Sequence, residues 1–77
     1  MNRYGELSIK YKELMATAIA IASRCDGCIA AHVAAALKAG ASKQELVETI
    51  DVAILMGGGP AVIYGTQALA AVDELAS

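Results

Sequence analysis

Both cysteines and the only histidine of the chain fall within eight positions, Cys25-Asp26-Gly27-Cys28-Ile29-Ala30-Ala31-His32. Thiols three residues apart are within reach of a disulfide near a helix start. An imidazole four residues after the second thiol then lies one turn up on the same face. A cysteine in the first turn of a helix also meets unsatisfied N–H groups and the positive end of the helix dipole, and both favour the thiolate. A neighbouring imidazole can hold or pass the proton. These residue types at this spacing are the minimal kit of a redox-active thiol.

Three other readings fit parts of the pattern. Free cysteine is among the most buried residue types, so the pair could be core filler. C-x-x-C with a histidine supplies three zinc ligands, and a fourth would come from Asp26, a carboxylate elsewhere or a subunit partner. A thioredoxin-like site needs a βαβ context, and no segment here alternates apolar and polar residues as a strand would.

The elements that must position these side chains read as helices, and the fold class is all-α. A first helix runs from about Ile9 to Ser23, with Ser8 as its N-cap and Leu14, Ala18, Ile21 and Ala22 at helical spacing. Glu13 lies near its start; taken alone, a carboxylate there is a surface residue complementing the helix dipole. Ser23-Arg24-Cys25-Asp26-Gly27 breaks the pattern. Asp26 or a neighbour caps a second helix that runs through Cys28 to Ala39, with Ile29, Val33, Ala36 and Leu37 as its apolar stripe. Gly40 sits where a left-handed cap is expected, after Lys38 in the last turn.

Ser42 with Glu45 forms a capping box that opens a third helix, with Leu46, Ile50, Ala53 and Ile54 buried and Val47 widening the stripe. That helix ends at Gly57-Gly58-Gly59-Pro60. Pro60 suits the first position of a fourth helix, where its missing N–H costs nothing. The fourth helix runs to about Leu75 with Leu69, Val72 and Leu75 on one face, and Gly65 permits a close neighbour.

Seventy-seven residues hold one domain, here 1–77 with a short polar lead over 1–8. A chain this short buries a thin core, yet 57% of it is hydrophobic, so part of its apolar surface is expected to meet another copy. The formal charge is −2 with no basic stripe, which argues against nucleic acid. No long uncharged apolar run points to a membrane span, and no apolar run near residue 1 reads as a signal peptide. The expected location is cytoplasmic, where a close cysteine pair is catalytic, redox-active or metal-binding more often than structural.

Four segments in this order resemble the AhpD-like, carboxymuconolactone decarboxylase family. They are Lys12-Glu13-Leu14, Cys25-x-x-Cys28-x-x-x-His32, Ala36-Leu37-Lys38-Ala39-Gly40-Ala41-Ser42 and Met56-Gly57-Gly58-Gly59-Pro60. The resemblance covers nearly everything from Ile9 onward. It implies a small bundle of about four helices completed by oligomerisation, as trimers or, in short members, hexamers. It also implies an alkylhydroperoxidase-like peroxidase or thiol–disulfide oxidoreductase. In that branch the second cysteine, here Cys28, attacks a hydroperoxide and becomes a sulfenic acid, and the first, here Cys25, resolves it to a disulfide. His32 and Glu13 match the family's proton relay. No resident cofactor is implied; an external dithiol or reducing protein, in the family sometimes a lipoyl-bearing one, restores the thiols.

Some peroxidase members carry a second histidine between the cysteines, where this chain has Asp26-Gly27. The alternatives to a peroxidase are a non-catalytic redox-sensing or metal-binding helical oligomer and, less favoured by the cysteine pair, a decarboxylase-type lyase.

Elsewhere the glycine run lacks the Lys-Ser/Thr and the preceding strand of a phosphate loop, and reads as a tight turn between helices. Tyr64 suits a pocket or an interface. Lys43, Glu45, Glu48 and Asp51 read as a solvated face, and Asp73 and Glu74 have no assigned role.

Overall fold

The computed structural model describes residues 5–76. It contains four helices, α1 (Ile9–Ala22), α2 (Asp26–Lys38), α3 (Lys43–Gly57) and α4 (Gly59–Ala76), and no strand among the described residues. The expected lead segment is exposed from Gly5 to Ser8, and its first four positions lie outside the described residues.

Local chemistry sets most of the helix ends. The Ser8 hydroxyl accepts the Tyr11 N–H at 3.1 Å and caps α1. The Ser42 hydroxyl accepts the Glu45 N–H at 3.0 Å while the Glu45 carboxylate accepts the Ser42 N–H at 2.9 Å, the reciprocal capping box of α3. Gly40, at φ +99°, lets the chain turn back so that Gly40 N–H reaches the Leu37 carbonyl and Ala41 N–H the Ala36 carbonyl. Both bonds satisfy carbonyls that the end of α2 would otherwise leave open.

The same turn closes α1, but with an arginine at its left-handed position. Arg24 has φ +59°; its N–H bonds to the Ile21 carbonyl at 3.2 Å, and Cys25 N–H bonds to the Ala20 carbonyl at 3.0 Å. Only Ser23, Arg24 and Cys25 separate α1 from α2. Cys25, rather than Asp26, is therefore the N-cap of α2, and its side chain makes no capping bond. Pro60 is the second residue of α4, one place later than expected, still within the turn whose N–H groups lack helical partners.

The core holds Ile21, Ile29, Val33, Leu46, Ile50 and Val72, all 5% exposed or less. Each such side chain contributes about 1.5–3 kcal/mol on burial. The expected faces of α2 and α3 point inward, with Leu37, Val47 and Ile54 half-buried at their edges. Two faces differ from expectation. On α1 the buried positions are Glu13, Thr17, Ala20 and Ile21, while Leu14 and Ala18 are half-buried and Ala22 is exposed. Polar residues on the inner face and Tyr11, Met15 and Ile19 on the outer one disguise the helix's orientation.

On α4 the buried line is Ala61, Gly65, Ala68 and Val72, and Leu69 and Leu75 face outward. The small residues bring the backbone of α4 close to α3: a Cβ at Gly65 would lie 3.0 Å from Ile54 Cδ1. The charged face of α3 is partly paired, with Lys10 on Glu45 at 3.1 Å and Lys43 on Asp73 at 2.6 Å. Tyr64 packs half-buried against the core.

Candidate active site

Cys25 and Cys28 are joined as a disulfide across the first turn of α2, with their Cα atoms 5.2 Å apart. Cys25 is placed by the tight turn after α1, and Cys28 by the helix that the turn starts. One turn above Cys28, His32 is half-buried and faces α1. There its Nδ1 lies 2.6 Å from Glu13 Oε1, a contact across 19 positions of sequence.

Glu13 is not the surface carboxylate that its position in α1 suggests. Its side chain is only 10% exposed. A buried carboxylate is costly unless partnered, and the imidazole is that partner. One turn along α1, the fully buried Thr17 hydroxyl donates to the Glu13 backbone carbonyl at 2.8 Å, so it satisfies itself without competing for the carboxylate. With Glu13 ionised, Nδ1 carries the imidazole proton and donates it, which leaves Nε2 as the ring atom free to exchange protons with a ligand.

An open cavity of about 260 Å³ lies beside this pair, lined by Ala16, Ile19, Ala20, Ser23, Cys28 and His32. Cys28 and His32 both contribute to its wall. A second cavity of about 600 Å³ adjoins the other side of the pair, with Glu13, Lys10 and Lys38 among its lining residues.

The structure thus brings Cys25, Cys28, His32 and Glu13 together. Thr17, Ser23, Ala16 and Ile19 complete the surroundings and were not apparent from the sequence. Thr17 alone had a readable cue, its place one turn after Glu13. Among the described residues, no group of three or more His, Cys, Asp or Glu side chains is arranged to hold a metal ion.

The sequence model of the carboxymuconolactone decarboxylase family matches residues 1–74. The chain belongs to the carboxymuconolactone decarboxylase family. Within it, the chain is 41% identical to an uncharacterized protein of Cupriavidus necator over 71 residues, 92% of this chain and 63% of that one. An uncharacterized protein of the cox locus of Paracoccus denitrificans is 38% identical over 71 residues, 92% of this chain and 64% of that one.

Two crystal structures share the fold. A family member from Legionella pneumophila, solved in its apo form, superposes with a TM-score of 0.89 at 44% identity, over 95% of this chain and 65% of that one. A family member from Thermotoga maritima, described as a candidate for a role in antioxidative response, gives a TM-score of 0.91 at 35% identity, over 96% of this chain and 63% of that one. The chain therefore spans just under two thirds of the length of each of these four relatives. No helix among the described residues is long and apolar enough to cross a membrane.

Proposed function

We propose that the chain is a thiol-dependent peroxidase that reduces organic hydroperoxides and cycles through the Cys25–Cys28 disulfide. The observation that carries this reading is His32, held by Glu13 at 2.6 Å and lining the same cavity as Cys28 of the disulfide. An imidazole oriented by a buried carboxylate has one free nitrogen with a defined task, and a thiol that must lose and regain protons needs such a partner.

In the cycle, His32 Nε2 takes the Cys28 thiol proton, and the resulting thiolate attacks the terminal oxygen of ROOH. The S–O bond forms as the O–O bond breaks, and the leaving alkoxide takes a proton from His32 Nε2 to give ROH. The Cys25 thiolate then attacks the sulfenic sulfur of Cys28. The S–S bond forms, and the hydroxyl leaves as water with the proton that the Cys25 thiol gave up. A dithiol or reducing protein supplies the two electrons and two protons that restore both thiols, itself becoming a disulfide. The Cys25–Cys28 disulfide and the antioxidative description of the Thermotoga maritima relative support this direction over lactone decarboxylation.

The exposed apolar side chains Tyr11, Met15, Ile19, Val52, Leu55 and Met56 on α1 and α3 support assembly into a homo-oligomer, for which the family resemblance implies a trimer or hexamer. A C-x-x-C pair working with a dithiol supports a reducing, cytoplasmic setting.

The test is stopped-flow consumption of cumene hydroperoxide by the reduced chain. Wild type should outpace Cys28→Ser by at least about a hundredfold, the scale of positioned thiolate chemistry. Equal rates would overturn the reading. Stoichiometric zinc that shields both thiols from alkylation would instead favour a metal-binding or sensing role.

A further inference from the structure

The second cavity has no task in the cycle above, yet it is aligned with the first. On α1 the cavities touch Ile9, Glu13, Ala16, Ala20 and Ser23; on α2 they touch Cys28, His32, Ala35 and Ala39. Steps of three and four place each set on one stripe of its helix. The two cavities thus lie along one α1/α2 seam, on either side of the Glu13–His32 pair, and a chain laid along that seam would run through both. A sulfur stands at one end. Lys10 and Lys38 stand at the other.

Charge decides what suits the far end. Glu13 is engaged by its hydrogen bond to His32, and Lys10 is paired with Glu45 at 3.1 Å. Lys38 makes no ion pair among the described residues, so the seam ends on one uncompensated cation with apolar Ile9, Ala35 and Ala39 beside it. Ten positions separate Lys38 from Cys28 on α2, a rise of about 15 Å. A zigzag alkyl chain with bonds of about 1.5 Å covers that span with roughly a dozen carbons.

We propose that the groove along this seam selects linear alkyl hydroperoxides ending in a carboxylate, with the peroxide at Cys28 and the carboxylate on Lys38. This rests on the peroxidase reading for the reactive end and on the groove alone for the anionic end. The acid–base pair then lies beside the chain, close to the scissile O–O bond, while Lys38 fixes how far the chain slides.

Two measurements on the 77-residue chain separate these bases. Dodecanoate, which cannot react, is titrated calorimetrically into the oxidised wild type, Lys38→Gln, Lys38→Glu and the distant control Lys43→Glu. Binding should weaken about threefold in Lys38→Gln and tenfold or more in Lys38→Glu, and stay unchanged in Lys43→Glu. Separately, kcat/KM for 12-hydroperoxydodecanoate is divided by kcat/KM for cumene hydroperoxide, and that ratio should fall about tenfold in Lys38→Glu. A wild type that consumes cumene hydroperoxide but neither binds dodecanoate nor prefers the carboxylated substrate overturns the groove proposal alone. Lys38-dependent dodecanoate binding without turnover of either peroxide overturns the peroxidase reading and leaves the anionic subsite standing.

Discussion

His32 Nδ1 and Glu13 Oε1 meet at 2.6 Å on antiparallel helices joined by a three-residue turn, so the imidazole beside Cys28 is held by a carboxylate on the preceding helix. Replacing that carboxylate with an amide of equal size removes the charge but not the packing. Glu13→Gln should therefore lower peroxidase kcat/KM about 10–100-fold, the usual effect of losing the group that orients a functional histidine. Its far-ultraviolet circular dichroism should match wild type. An unchanged rate and pH profile would remove Glu13 from the relay.

The assigned order of the two sulfurs has its own signature. Cys25→Ser leaves Cys28 able to attack but with nothing to resolve it. One equivalent of peroxide should be consumed per chain, and the sulfenic acid should then be trapped by dimedone in a mass spectrum. Trapping on Cys25 in the reciprocal Cys28→Ser protein, at a similar rate, would reverse the roles.

Gly27 is exposed, and a Cβ built there meets nothing within 4 Å. A histidine at this position has room at the start of α2, between the two cysteines in sequence. Gly27→His should raise the peroxide rate at neutral pH by up to about tenfold, through a lower thiol pKa. Thiolate absorbance near 240 nm against pH, read with the rate, decides it; no change in either refutes the expectation.

Arg24 holds φ +59°, a conformation that costs a side chain about 1–2 kcal/mol and a glycine almost nothing. Set against the greater freedom of glycine in the unfolded chain, Arg24→Gly should still stabilise by about 0.5–1 kcal/mol. Arg24→Val should destabilise. Chemical denaturation of both variants measures the difference directly.

The α3 cap makes stability depend on acid. The Ser42 backbone N–H, and then Lys10, hold the Glu45 carboxyl below its ordinary value of 4.5. A carboxyl whose pKa is lower folded than unfolded stabilises fully above the unfolded value, and that stabilisation is lost as pH falls through the folded one. Wild type should therefore lose more of its melting temperature than Glu45→Gln between about pH 5 and 3. Parallel curves would mean the cap carries no linked proton.

What the sequence made legible was local. The Ser42–Glu45 box, Gly40 after α2, and the thiol and imidazole spacing each depend on residues within a turn of one another, and each appears as expected. The inner face of α1 was not legible, because Glu13 and Thr17 occupy core positions and interrupt the apolar period. The outward leucines of α4 misled for the converse reason: small residues do the close packing, and hydrophobicity alone does not rank Gly65 or Ala68 above Leu69. Arg24 gave no sign of its left-handed turn, since glycine or asparagine is the cue there. Glu13 reached the site through family resemblance, because its partner is 19 positions away and only tertiary packing joins them.

Cys25 sits at the N-cap of α2 with its sulfur tied to Cys28 and no side-chain capping hydrogen bond. Two electrons release that sulfur as an acceptor beside the first-turn N–H groups. On the proposed cycle, reduction offers α2 a capping acceptor that the disulfide withholds, so turnover and the opening of one helix end would be linked. Amide exchange at Gly27 and Cys28 would track it as a clock, slow when the thiols are reduced and fast when they are joined.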